Sequence, residues 1–288
     1  CNFACAYCVP DGKAKFHNRE AQTPVEKFLE NILRIHNEVN LESVRLTGGE
    51  PTLYRDVPMF ISLLKESGIP KVTLTTNGSR LKILINDLKN AGLDSINVSL
   101  DAVDGQVFRQ INKSSQLTSV LEGIESALES GIDLKINCTV MNGINDSQIL
   151  PILDWAEKRN ITVRYLELMK MGHLFYSHEK FYFSQAEILN LIRSKYELVE
   201  IGRKKSDTCA YWQIPGKVKV GIISNHSEPF CSDCDRLRMD HKGNLYGCLS
   251  VNTHFSMQEE DCALRDILQN ALQLKRTKIF SGSSISMQ

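Results

Sequence analysis

The sequence has no excess of charge of either sign. Its 288 residues include 34 Lys plus Arg and 34 Asp plus Glu, so the formal net charge is zero. A chain without net charge has no overall field that would attract it to nucleic acid or to an anionic membrane. We therefore expect no nucleic acid and no membrane among its partners, and any anion site must come from a local cluster of cations.

The sequence also lacks long apolar runs, internal repeats and low-complexity tracts. No run approaches the roughly 18 apolar residues that would indicate a membrane span, and the first residues show no signal-peptide pattern. Apolar residues nevertheless make up 42% of the chain, which is enough to bury a sizeable core. These features predict a folded, cytoplasmic enzyme.

Cysteine is the residue type that stands out. Six of the nine cysteines fall in two tight triplets, whereas Cys138, Cys209 and Cys262 stand alone. An odd, clustered set argues against a secreted disulfide framework and favours metal ligation in a reducing compartment. We expect the three isolated thiols to serve in packing.

Short β-rich runs alternate with helical patterns along the first 200 residues, which predicts an α/β fold with a parallel sheet. An open doubly wound sheet and part of a β/α barrel both fit this rhythm. The predicted strands are Val44–Thr47, Val72–Thr75, Ile96–Leu100, Lys135–Val140 and Val163–Leu168, and the predicted helices lie near 57–67, 81–91, 117–130 and 149–159.

Unusual residues follow the predicted strands. Gly48–Pro51, Thr76–Gly78 and Asp101 each come directly after a strand, and both candidate architectures bind ligands at the carboxyl ends of their strands. After about residue 200 the rhythm breaks into shorter polar segments, with one further strand predicted at Val218–Ile223. We expect a main domain over residues 1–200 and a smaller C-terminal region over residues 201–288.

The first cysteine triplet is Cys1, Cys5 and Cys8, in a C-x3-C-x2-C pattern. Three thiolates in one loop can bind three irons of a cubane cluster and leave the fourth iron open to another ligand. A structural zinc site completed by His17 is the alternative.

This triplet, with Tyr7 before its last cysteine and Gly48-Gly49-Glu50-Pro51 after one strand, resembles the radical S-adenosylmethionine (SAM) superfamily. The resemblance implies a partial (β/α)6 barrel of the TIM type, a [4Fe-4S] cluster, SAM on the open iron and formation of a 5′-deoxyadenosyl radical. If the first cysteine-rich segment is another loop that follows a strand, that strand lies upstream of Cys1 and the intact protein has six strands. The residues that the resemblance assigns to SAM are Tyr7, Gly49, Glu50, Thr76, Ser99 and Met169.

The second triplet is Cys231, Cys234 and Cys248, in a C-x2-C-x13-C pattern. On spacing alone, a zinc site completed by His241 remains open. Arg236 and Arg238 lie two residues apart, so in an extended segment both guanidinium groups would face a ligand on the same side.

The run Phe230–Arg238, with Cys248-Leu249 after it, resembles the GTP 3′,8-cyclase family of molybdenum-cofactor biosynthesis, and further matches extend along nearly the whole chain. The resemblance implies a second [4Fe-4S] cluster and conversion of GTP to 3′,8-cyclo-7,8-dihydro-GTP. Arg236 and Arg238 would be catalytic, holding the purine and steering ring closure. The residues assigned to GTP are Arg45, Lys135, Arg164, Arg236 and Arg238.

The same resemblance implies an electron donor, the next enzyme of the pathway (cyclic pyranopterin monophosphate synthase) and a homodimer as partners. Ser43 and Ser250 stand where the family often has Lys and Phe, and its terminal Gly-Gly does not occur before Gln288. We expect residues to be missing at both ends.

Three alternatives remain open from the sequence. The chain could be a peptide-modifying radical SAM enzyme with an auxiliary cluster, or a zinc-binding adaptor without catalysis. Arg164 could also form an ordinary ion pair with Glu167.

Overall fold

The structure is a computed structural model that describes residues 1–10, 24–249, 251, 253–257 and 263–276. His17, Ser250, Cys262 and the segment 277–288 therefore lie outside the described residues.

Eight strands form the main sheet, in the order β1-β2-β3-β4-β5-β8-β7-β6. The five strands predicted from the sequence are confirmed as β1 to β5, to within two residues at each end. The strands are β1 Ser43–Leu46, β2 Lys71–Thr76, β3 Ser95–Ser99, β4 Asp133–Val140, β5 Thr162–Glu167, β6 Val199–Gly202, β7 Ala210–Gln213 and β8 Lys219–Ile223.

The predicted parallel sheet is confirmed for β1 to β5, and antiparallel strands extend it at one edge. β1 to β5 and β8 run parallel, but β7 is antiparallel to both β8 and β6. A parallel neighbour needs a crossover of about a dozen residues or more, and the links 203–209 and 214–218 are too short for one. The strand predicted near 218–223 therefore lies in the main sheet, while the boundary at residue 200 stays a prediction.

Helices connect the parallel strands, and the four predicted helices are confirmed as α2, α3, α5 and α6. The α-helices are α1 Val25–Val39, α2 Val57–Glu66, α3 Leu81–Asn90, α4 Gly105–Asn112, α5 Leu117–Ser130, α6 Ile149–Glu157, α7 His178–Phe181, α8 Gln185–Arg193 and α9 Leu264–Arg276. In the described part of the chain, no helix is long and apolar enough to cross a membrane.

The alternation of burial along β4 shows which face of the sheet is the core. Leu134, Ile136, Cys138 and Val140 are buried in the main apolar core, whereas the intervening residues are partly or fully exposed on the other face. Side chains of successive strand residues point to opposite faces. The face opposite the core is thus left for polar residues, and Cys138 packs as predicted.

A second, smaller sheet follows the main one. It contains β9 (Arg238–Met239), β10 (Asn244–Tyr246) and β11 (His254–Ser256), with β10 in the centre. Its Leu245 packs with α1 and α9 in a separate small apolar core.

We predict that Gly123→Ala lowers the melting temperature. A Cβ at Gly123, in α5, would lie 2.6 Å from the backbone oxygen of Gly78, and overpacking of this kind costs about 1–3 kcal/mol.

Gly105→Ala is the matched control, because a Cβ at this position in α4 would meet nothing closer than 3.8 Å. We expect it to stabilise the protein by up to about 1 kcal/mol, as Gly→Ala does in an unobstructed helix. Equal thermal shifts for the two variants would contradict the close approach of α5 to the loop after β2.

Candidate active site

The first cysteine loop lies against the loops that follow the strands. The backbone N–H groups of Ala4 and Ala6 donate to the carbonyls of Asn112 (3.3 Å) and Ile111 (2.7 Å), at the end of α4. A Cβ at Gly49 would lie 3.0 Å from the backbone nitrogen of Cys1. The first triplet and the Gly-Gly-Glu-Pro segment are therefore neighbours, as the sequence predicted.

Glu50 joins the loops after β1 and β2. Its buried carboxylate accepts hydrogen bonds from the hydroxyls of Thr52 and Thr76, both at 2.6 Å, and from the backbone N–H groups of Thr52 (3.0 Å) and Asn77 (2.7 Å). Four donors from the protein already occupy this carboxylate. Its role in the structure is to position the segment beside Cys1, and a direct SAM contact by Glu50 or Thr76 stays a prediction.

Asp101 joins the first cysteine loop to the ends of β3 and β4. Its fully buried carboxylate accepts from the Tyr7 hydroxyl (2.8 Å), the Asn112 amide (2.9 Å) and the backbone N–H of Thr139 (3.0 Å). Burial and the Asp101 charge raise the pKa of Tyr7 well above its usual value. Tyr7 therefore stays protonated and continues to donate.

The chemistry of this loop fits an iron–sulfur cluster. Cys1 and Cys5 are half-buried, Cys8 is exposed, and the Asn112 amide donates to the Cys5 sulfur at 3.3 Å. Burial first, then Asp101, raises the pKa of Cys5 to about 12, so a bound metal would have to displace the thiol proton. Within the described ranges, no three His, Cys, Asp or Glu side chains form a group that could hold one metal ion; cubane ligands, in contrast, bind different irons.

The two remaining predicted SAM residues lie at strand ends. Ser99 is the last residue of β3, on the face opposite the core, and Met169 follows β5. Both are half-buried. They lie at the same edge of the sheet as the first cysteine loop, and their contacts with SAM stay predictions.

Four arginines converge on the face opposite the core. The Arg45 side chain is exposed to solvent, but surrounding atoms remove part of its hydration. This partial loss of hydration, followed by the charges of Arg164, Arg236 and Arg238, lowers the pKa of Arg45. Burial and Arg236 lower the pKa of Arg238 in the same way. The structure thus brings together four of the five residues predicted to bind GTP.

Arg164 is buried and forms hydrogen bonds with neutral partners on neighbouring strands. It donates to the side-chain oxygens of Asn137 (2.9 Å) and Asn97. The alternative of an Arg164–Glu167 ion pair is wrong, because the two residues are three apart on β5 and their side chains face opposite sides of the sheet. Lys135 lies on the same face as Asn137, but its ammonium binds Asp133 at 2.7 Å.

Glu167, at the end of β5, positions the segment that leads to the second triplet. Its carboxylate is buried and accepts from the hydroxyls of Tyr182 and Ser227 and from the backbone N–H groups of Gln185, His226 and Ser227. His226 and Ser227 lie only four to five residues before Cys231. The sheet is therefore connected through Glu167 to the second cysteine loop.

The second triplet adjoins the arginines. Cys231 begins a short helical turn, and Arg236 donates to the Cys234 sulfur at 3.5 Å while its guanidinium lies 5.2 Å from the centre of the Phe230 ring. The Nε of Arg236 is buried without a hydrogen-bond partner. An unpaired donor of this kind costs about 1–3 kcal/mol unless a ligand satisfies it.

Comparison with known proteins agrees with this geometry. A family model of the radical SAM superfamily matches residues 1–156, and one described as Molybdenum Cofactor Synthesis C matches residues 161–281. A GTP 3′,8-cyclase of Helicobacter pylori is 36% identical over 250 residues, 86% of this chain and 77% of the relative. The protein of that name from Nautilia profundicola is 33% identical over 278 residues, 96% of this chain and 85% of the relative.

The chain belongs to the GTP 3′,8-cyclase family of radical SAM enzymes. Membership implies an iron–sulfur cluster and SAM. Solved structures support the fold: Streptococcus suis SuiB bound to SAM superposes with a TM-score of 0.70 at 16% identity, covering 96% of this chain and 65% of SuiB. The anSMEcpe protein with bound AdoMet gives 0.63 at 14% identity, over 100% of this chain and 81% of that one. The predicted partial barrel is confirmed.

The sequence interpretation missed three residues of the site. Nothing in the sequence marks Asn112 as part of the site, because polar residues are common at helix ends. Thr73 hydrogen-bonds the Arg45 side chain at 3.3 Å across β1 and β2. At Gly221, on β8, a Cβ would lie 2.9 Å from the Arg164 side chain, so this glycine leaves the space that Arg164 occupies. The contacts of Thr73 and Gly221 depend on the register between neighbouring strands, which the sequence does not show.

We predict that Glu167→Gln lowers the free energy of unfolding by about 2 kcal/mol or more. Both carboxylate oxygens of Glu167 accept hydrogen bonds, so the NH2 group of a Gln side chain would face a donor that has lost its acceptor. Urea unfolding measures the change.

Glu187→Gln is the matched control. Glu187 belongs to the capping box of α8 with Ser184, a position where Gln serves as well as Glu. If both variants unfolded at the same urea concentration, Glu167 would not be the anchor that its contacts indicate.

Proposed function

We propose that this protein converts GTP to 3′,8-cyclo-7,8-dihydro-GTP in molybdenum-cofactor biosynthesis, as the names of its relatives indicate for them. The observation that carries the proposal is the arginine cluster of Arg45, Arg164, Arg236 and Arg238 on one face of a radical SAM fold.

The charge balance of this face supports an anionic substrate. None of the ion pairs between described residues includes any of the four arginines. Clustered cations repel one another, and burying them without an acid is expensive. A triphosphate carries about four negative charges and offers oxygens that match guanidinium forks. We therefore assign the triphosphate and purine of GTP to this cluster.

The protein groups in this proposal bind and orient. Cys1, Cys5 and Cys8 would hold the first [4Fe-4S] cluster, and Cys231, Cys234 and Cys248 the second. With SAM bound, the first cluster would supply the one-electron chemistry that cleaves SAM and starts hydrogen abstraction from the substrate. Tyr7, Gly49, Glu50, Thr76, Ser99 and Met169 line the SAM side.

The two ends of the substrate would meet different groups. Arg236 and Arg238 lie next to the second triplet, and Arg236 still has an unpaired buried donor, Nε, for a purine or phosphate oxygen. Arg45 and Arg164 would bind phosphate oxygens. Lys135 reaches the substrate only by leaving Asp133, so we expect it to contribute less than Arg164.

The proposed reaction also requires partners and a cellular location. An external electron donor must reduce the first cluster, and the product would pass to cyclic pyranopterin monophosphate synthase. We propose the cytoplasm as the site of this chemistry and a homodimer as the assembly.

The test is an anaerobic incubation of the reconstituted protein with SAM, dithionite and GTP, followed by mass spectrometry. We expect 5′-deoxyadenosine together with an isomer of GTP. Deoxyadenosine without the isomer would instead favour a radical enzyme with another substrate, such as a peptide. Bound zinc without cluster absorbance would favour the zinc-binding adaptor.

We predict that Arg164→Ala weakens GTP binding by about 10- to 100-fold, which corresponds to about 1.4–2.8 kcal/mol for a charged hydrogen bond. Calorimetric titration of the reconstituted protein with GTP measures this.

Arg159→Ala is the matched control. Arg159 is ion-paired with Glu125 and lies 4.2 Å from the centre of the Trp155 ring, so its loss should leave GTP affinity unchanged. Equal affinities for the wild type and Arg164→Ala would contradict the assignment of the substrate to the arginine cluster.

A further inference from the structure

Asp101 and Asn112 form a directed contact to a cysteine sulfur. The Asn112 amide nitrogen donates both to the Asp101 carboxylate (2.9 Å) and to the sulfur of Cys5 (3.3 Å). Asp101 is fully buried and Asn112 nearly so. The amide end of this contact is thus shielded from water, while Cys5 is half-buried. Hydrogen bonds are electrostatically stronger in such surroundings than in water.

The carboxylate determines which way the Asn112 amide points. The amide oxygen of Asn112 is buried and has no hydrogen-bond partner, which costs about 1–3 kcal/mol. Turning the amide over would aim that oxygen at the carboxylate of Asp101, where the two would repel each other. The amide therefore keeps the orientation in which its nitrogen faces Asp101 and its oxygen has no partner. Asp101 can hold it because its other two contacts, Tyr7 and the Thr139 N–H, are donors as well.

The backbone fixes the sulfur relative to the amide. Ala4 and Ala6, on either side of Cys5, donate to the carbonyls of Asn112 and Ile111. The same residue, Asn112, therefore holds the loop through its main chain and contacts the sulfur through its side chain. A small change in the loop cannot move Cys5 away from the amide without breaking these bonds.

We propose that Asp101 and Asn112 are a positioning pair that keeps an N–H donor on the Cys5 sulfur and so sets the reduction potential of the cluster at the first triplet. The proposal rests on the proposed function, in which that triplet binds the cluster. A donor to a ligand sulfur favours the reduced, more negative cluster and raises the potential. The pair therefore makes the first cluster easier to reduce than it would be with the cysteines alone.

The decisive variant exchanges the two residues, Asp101→Asn with Asn112→Asp. The exchange keeps the composition, the charge and a hydrogen bond between the two positions, but it replaces the N–H at Cys5 with a carboxylate oxygen. Anaerobic redox titration, followed through the electron paramagnetic resonance signal that SAM perturbs, reports on the first cluster. We expect a more negative potential than in the wild type, and a smaller negative shift for Asn112→Leu.

Gln148→Leu is the matched control. Its buried amide holds the segment just after Asp101 by accepting from the backbone N–H groups of Val103 and Asp104, both at 3.1 Å. It should leave the potential unchanged, because no described contact links it to a cysteine. Thermal unfolding of each variant shows which ones remain folded.

The outcomes separate the two proposals. One outcome is that the wild type shows the SAM-sensitive signal and the folded variants have the wild-type potential. This result would overturn the positioning pair and leave the proposed function intact. A wild-type protein that binds no iron at the first triplet would overturn both. A shift in the exchange variant and in Asn112→Leu, with none in Gln148→Leu, supports the pair.

Discussion

Three buried carboxylates with only uncharged donors hold the site together. Glu50, Asp101 and Glu167 lie at or just beyond the ends of β1, β3 and β5, and they accept four, three and five hydrogen bonds. A buried charge is tolerated only when such bonds compensate its lost hydration. Because the donors come from different loops and element ends, satisfying each carboxylate also fixes how those segments lie relative to one another. The ligand-binding loops are thus positioned by an electrostatic requirement as well as by packing.

This arrangement leaves the basic groups available. A buried carboxylate whose hydrogen bonds come from hydroxyls, amides and backbone N–H groups does not need an arginine to compensate its charge. Among the described residues, none of these three carboxylates forms an ion pair with a cation. Arg164 accordingly binds two asparagines, which hold it in place without neutralising it. The positive field on that face persists until an anion arrives, which is what recognition of a charged substrate requires.

Local patterns in the sequence were sufficient to predict strands β1 to β5 and β8. The spacing of the cysteines marked the two triplets, and the resemblance to the family marked the arginines. The sequence was insufficient for contacts between elements. Nothing local marks Asn112 as the partner of Cys5 or Gly221 as the space for Arg164, since both depend on how distant segments meet. Strand geometry alone excludes the Arg164–Glu167 ion pair, because residues three apart on a strand face opposite sides.

The spacing of the strands sets the distance between the two cysteine loops. Asp101 anchors the first loop beyond β3, and Glu167 anchors the second beyond β5, with only β4 between them. Adjacent strands lie about 4.8 Å apart, so the two anchors are separated by roughly 10 Å across the sheet. Asn137 and Arg164 lie on the strands within this interval. A substrate held there would be fixed relative to both loops by the stiffest part of the fold, and reactions that depend on bringing two groups together gain most from such rigid positioning.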